Sequence, residues 1–103
     1  LEIEKFHKIA QWAMVMTKYS DFSGYEDIPA YTQADLTSWV LTGKGGGHFL
    51  HAVLCNDLRD AFKYADDQNK KAIESIVIWL FYNAPGNSHG DRGATERWTG
   101  LLP

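Results

Sequence analysis

Apolar side chains in this chain recur at three- and four-residue intervals, and nowhere do they alternate as a half-buried strand requires. That spacing restricts the fold to helices. It is clearest from His48 to Ala65, where Leu50, Val53, Leu54, Leu58, Ala61, Phe62 and Ala65 line one face. From Gln68 to Asn83, Ile73, Ile76, Val77, Leu80 and Phe81 do the same. Asp66-Asp67 supplies an N-cap for the second of these helices, and Asn83-Ala84-Pro85-Gly86 stops it. So short a connection predicts an antiparallel hairpin, with Leu54, Leu58, Phe62, Ile73, Val77 and Leu80 buried between its arms.

Two further stretches carry the same period. In the first, about Ile3 to Tyr19, a turn of 100° per residue places Ile3, Phe6, Ile9, Ala10, Ala13 and Met14 on one arc. That arc is the expected core face, and Trp12, Val15 and Tyr19 fall mostly outside it. Residues 20–29 have no period and several breakers, so they read as a loop. Their Phe22, Tyr25 and Ile28 predict a loop packed on the body. A short helix is expected from Thr32, where Thr32 and Asp35 make a capping-box pattern; Leu36, Trp39 and Val40 form its apolar side. It ends at Thr42-Gly43, and Gly43-Lys44-Gly45-Gly46-Gly47 is a tight, mobile connection. The Gly-rich tail from Asn87 to Pro103 has room for a turn or two of helix around Thr95 to Trp98. The expected architecture is one all-α domain over 1–103, with three main helices and one short one.

Composition narrows the partners. A chain of 103 residues makes one domain. Aromatics form 14% of it, and a domain this small buries only roughly two thirds of its unfolded surface. Some rings should therefore sit in an interface, which predicts a homo-oligomer, with a two-fold dimer favoured. A net charge of −3 and a pI near 5.7 argue against a general nucleic-acid binder. The single cysteine, Cys55, has no internal disulfide partner. No apolar run approaches a membrane span of about 20 residues, and Leu1-Glu2-Ile3-Glu4-Lys5 has no signal-peptide shape. A soluble, cytoplasmic protein is expected.

The glycine run lacks the G-x-x-x-x-G-K-[ST] pattern of a nucleotide-hydrolase phosphate loop. It remains a Gly-rich entry into a helix, with Lys44 before it and Gly46, Gly47, His48 and Phe49 at the helix start. Free N–H groups there attract anions; a plain flexible turn is the other reading. Asp57 falls inside the apolar arc of the third helix, where a carboxylate must be paired. It either holds a backbone end or a Trp indole N–H, or faces a pocket beneath the glycines. The four histidines, His7, His48, His51 and His89, make no His-x-x-x-His pair, so no metal site and no cofactor are expected. Cys55 lies mid-helix, away from the helix start that would activate it. In the tail, Arg92, Arg97 and Trp98 suit a planar anionic ligand, guanidinium for phosphate and indole for a base. They equally suit an arm folded back over the helices.

The run Gly46-Gly47-His48-Phe49-Leu50-His51-Ala52-Val53-Leu54-Cys55-Asn56-Asp57-Leu58 contains the form G-x-F-L-x-A-V-L-x-N-D-L. It continues with Ala61, Ala65-Asp66 and Asn69, and later with Trp79-Leu80-Phe81-Tyr82-Asn83-Ala84-Pro85. Over about Ile28 to Trp98 the chain resembles a group of small phage and prophage proteins. Its first helix lies outside the resemblance, and His48 stands where the pattern more often has a small residue. The resemblance implies a phage origin and a role against bacterial immunity in the cytoplasm of the infected host. The leading expectation is a non-enzymatic protein that sequesters a phosphorylated nucleotide signal. Lys44, Gly46, Gly47, His48, Phe49, Asp57, Arg92, Arg97 and Trp98 are then its binding residues. The alternative is an anti-CRISPR-like module that blocks a host effector protein. A small hydrolase using Asp57 with a histidine is a third possibility.

Overall fold

A computed structural model describing residues 2–103 shows six helices and no strand among those residues. They are α1 (Glu2–Tyr19), α2 (Ala30–Thr42), α3 (His48–Leu54), α4 (Leu58–Tyr64), α5 (Asp67–Asn83) and α6 (Arg92–Arg97). The all-α class is as expected. So is the 20–29 loop, which buries Phe22 and Ile28 and stacks Phe22 on Trp79 at 4.7 Å.

The expected third helix is two helices. α3 stops at Leu54, and α4 starts at Leu58 and packs closely against it. Asn56 makes the break: its φ of 59° is the left-handed conformation that Asn tolerates better than other side chains. Asp57 then caps α4, its carboxylate accepting from the Asp60 N–H at 3.1 Å. Breaking the helix rotates its second half, and the expected hairpin core changes accordingly. Leu54, Ile73 and Leu80 are buried, but Leu58, Phe62 and Val77 are exposed.

α2 also departs from expectation. It opens one turn early, at Pro29-Ala30, with no side-chain cap. Thr32 is buried instead and donates to Asn69 Oδ1 at 2.6 Å. At its other end the chain's tail returns. The N–H groups of Leu101 and Leu102 donate to the carbonyls of Val40 and Leu41 at 3.0 and 2.9 Å. Trp98 Nε1 donates to the Trp39 carbonyl at 2.8 Å, and Trp39 Nε1 donates to the Ser88 carbonyl at 2.9 Å. The tail is a structural arm.

α1 shows the largest reversal. Its body side is Val15 and Tyr19, with Tyr19 buried and its carbonyl accepting from Thr37 Oγ1 at 2.6 Å. The expected core arc faces outward: Ile3, Phe6, Ile9 and Met14 are 76%, 69%, 52% and 72% exposed.

Two outcomes test this packing. Gly100 has φ 95°, and a Cβ there would lie 2.5 Å from the Leu41 carbonyl oxygen. Gly100→Ala should lower stability by more than about 1 kcal/mol in urea unfolding, while Gly86→Ala, with open space around it, should not. Half-buried His89 is held below its usual 6.5 by burial, against a smaller opposing pull from the Pro85 carbonyl. The unfolded chain therefore takes the proton first, and stability falls as pH drops through 6.5 toward the lowered folded value. His89→Asn should flatten the change in Tm between about pH 7.5 and 5.5. Asp21, Asp66 and Glu26, lowered from 3.8, 3.8 and 4.5, titrate below that window.

Candidate functional site

The start of α3 does open onto a cleft, of roughly 330 Å³. Gly47, His48, Phe49 and Leu50 form one wall. α2 contributes Tyr31, Thr32 and Asp35, where the four-residue step from Tyr31 to Asp35 puts both on one helical face. Tyr64 closes the α4 side, and Asp66 and Asn69 come from the first turn of α5.

A hydrogen-bond chain fixes the floor. Asp66 caps α5, accepting from the Asn69 N–H at 2.7 Å, and its other oxygen accepts from the Tyr31 hydroxyl. The Tyr31 hydroxyl first, then the Asn69 N–H, holds the Asp66 carboxyl below its usual range. The same contact raises the Tyr31 phenol. At the rim the His48 ring stacks on Tyr64, centroids 5.1 Å apart, and Lys63 Nζ lies 5.1 Å from the Tyr64 ring centre.

Of the residues nominated from sequence, Gly47, His48 and Phe49 share this cleft, and Lys44, Gly46, Asp57, Arg92, Arg97 and Trp98 do not line it. Arg92 and Arg97 belong to α6, in the arm. Trp98, half-buried, spends its indole N–H on Trp39. Asp57 lies by Val53, Leu58 and Val77 instead, and its role is the structural one of holding a backbone end. It meets no Trp indole: Trp39 and Trp98 bond elsewhere, and the buried Trp79 Nε1 has no partner.

Sequence reasoning missed Tyr31, Asp35, Tyr64, Asp66 and Asn69 as neighbours of the glycine run. The signal for two of them was present, since Asp66 and Asn69 stand at polar positions of the G-x-F-L pattern and its continuation. A Tyr31–Asp66 pairing, 35 residues apart, left no trace in local spacing.

No group of three or more His, Cys, Asp or Glu that could hold a metal occurs among the described residues. Cys55 Sγ lies 3.8 Å from both ring nitrogens of His51. A sulfur equidistant from both is beside the ring carbon or over the face, not in line with either nitrogen for proton transfer. None of the described helices is long and apolar enough to cross a membrane. No family model, curated protein or solved structure matches the chain.

The cap role of Asp57 can be checked directly. Asp57→Ala should cost about 1 kcal/mol in chemical unfolding, and Asp57→Asn, which keeps an acceptor, much less.

Proposed function

We propose that this chain is a non-catalytic binding protein that works as a two-fold dimer built on the outward face of α1. The observation that carries this is the apolar arc of Ile3, Phe6, Ile9, Met14 and Met16, all exposed on one helix. The five are 48–76% exposed, and large apolar side chains grouped on one exposed face mark a protein–protein contact.

The occupant that fits is a second copy. Along the stripe Ile3, Phe6, Ala10, Ala13 and Thr17 the steps are three and four, the spacing of a helix–helix seam. Bulk is concentrated in its first half and small side chains in its second. Antiparallel pairing about Ala10 sets Phe6 opposite the partner's Ala13 and Ile3 opposite the partner's Thr17, so large meets small in the four outer layers and Ala10 meets its own copy at the centre.

In the phage context implied by sequence, such a molecule acts in the cytoplasm of an infected bacterium by occupying a component of host immunity. Blocking a host protein fits the geometry better than sequestering a phosphorylated nucleotide. The cleft at α3 carries two carboxylates and no lining cation, and α3, at seven residues, is too short to add much positive potential.

Sedimentation at about 100 µM should report a dimer, and Phe6→Glu should give a monomer that keeps the helical circular dichroism of the α2–α6 body. In a Cys55→Ser background, oxidised Ala10→Cys should cross-link to dimer, because residue 10 sits on the two-fold axis, whereas Ile3→Cys should not. A wild-type monomer would overturn the pairing and leave α1 free for a host protein.

A further inference from the structure

A groove of roughly 410 Å³ opens at the root of α1. Ser20 and Phe22 line it from the chain just after that helix, and Ala30, Gln33, Ala34, Thr37 and Ser38 line it from α2. No charged side chain is among them. The polar ones are already bonded within the chain. Ser20 Oγ donates to the Met16 carbonyl at 2.9 Å, Thr37 Oγ1 to the Tyr19 carbonyl at 2.6 Å, Ser38 Oγ to the Lys44 carbonyl at 2.8 Å and Gln33 Nε2 to the Ile28 carbonyl at 2.8 Å. Ala30 and Ala34 stand exposed between them. A polar guest would give up its water here for few new hydrogen bonds, whereas an apolar guest gains by leaving water. The groove therefore selects an apolar side chain.

The α1 pairing brings such a side chain to this place. With Ala10 on the two-fold axis, the partner's Ile3 stands opposite Thr17, three residues or about 4.5 Å of helix short of Ser20. Ile3, at 76%, is the most exposed large apolar side chain among the described residues. We infer that the first turn of the partner's α1, led by its Ile3, seats in this groove, so that each copy completes the α1–α2 root of the other. The inference rests on the α1 pairing proposed above. A chain's own Ile3 cannot serve, because it precedes Tyr19 by sixteen residues, about 24 Å of straight helix. Two-fold symmetry gives one seat at each end of the pair, where two helices become three. The seats also set direction: a parallel pair would put Ile3 beside the partner's Ile3, far from either groove.

The test uses the full chain in the Cys55→Ser background. Copies carrying Ile3→Cys, mixed with copies carrying Ala34→Cys, should cross-link on oxidation, and neither variant alone should. Ala34→Arg, at an exposed helix position, should weaken dimerisation at least about tenfold in sedimentation, the effect of keeping one isoleucine out of its seat. The Trp39 and Trp98 indole N–H resonances, each held by a backbone carbonyl of the body, should stay where they are in the wild type and so show that the variant folds. Cross-linking through Ala10→Cys without cross-linking of the mixed pair would overturn the groove assignment and leave the α1 pairing standing, with the groove open to another apolar guest. An unchanged dimer constant in Ala34→Arg would do the same. A wild-type monomer at about 100 µM would overturn both.

Discussion

The last turn of α2 ends with carbonyls that its own helix cannot satisfy, and the rest of the fold is arranged to meet them. Trp39's carbonyl takes the Gly43 N–H and the Trp98 indole; Val40 and Leu41 take the backbone of Leu101 and Leu102. All three residues are buried, so water is not an alternative partner. The tail must therefore run across the end of α2, which places the turn at residues 85–90 against Trp39 and the Gly90 N–H on the Leu54 carbonyl. That second contact serves the end of α3 in turn. A chain without its last few residues would expose the end of α2.

The same bookkeeping explains which parts of the structure were legible in the sequence. α5 was readable because its cap, Asp66, and most of its apolar side chains agree; Ile73, Ile76 and Leu80 are buried as their spacing implies, while Val77 and Phe81, expected on the same face, are exposed. The α3–α4 break was not read, because Leu54, Leu58, Ala61 and Ala65 keep helical spacing across it. The local signal was Asn56-Asp57, a residue that tolerates left-handed backbone followed by a good N-cap. Periodicity outweighed it. Treating Asp57 as an anomaly in an apolar arc was the symptom of that choice: a cap residue looks misplaced when the helix is drawn straight through it.

The cleft was half legible for a different reason. Gly47, His48 and Phe49 are adjacent in sequence, and a Gly-rich helix entry marks them as approachable. The opposite wall comes from α2 and from the α4–α5 junction, brought over by Thr32–Asn69 and Tyr31–Asp66. Thr32 carried a plausible local role as a cap, and its use in a long-range bond hid both the true start of α2 and the wall it builds. The cations in the tail looked like phosphate ligands because nothing in composition says that α2 needs that tail as a lid.

α1 reverses the usual inference from an amphipathic helix. Spacing locates an apolar face without saying which molecule covers it. Here the fold holds the helix by Tyr19, Val15 and the Thr37 bond to the Tyr19 carbonyl, all near its C-terminal end. The helix is about 27 Å long, and the long dimension of the molecule is 51 Å. Helices of this length are marginal in water on their own, so anchoring one end does little for Ile3, Phe6 and Ile9. Helicity in the first half of α1 and burial of its outward face are then linked events. Whatever covers that face also stabilises the helix, and the free energy of covering it is lowered by the cost of ordering the residues that make it. An apolar arc placed opposite the anchor thus ties the folding of α1, about a quarter of the helical residues, to association, while the α2–α6 body has a core of its own.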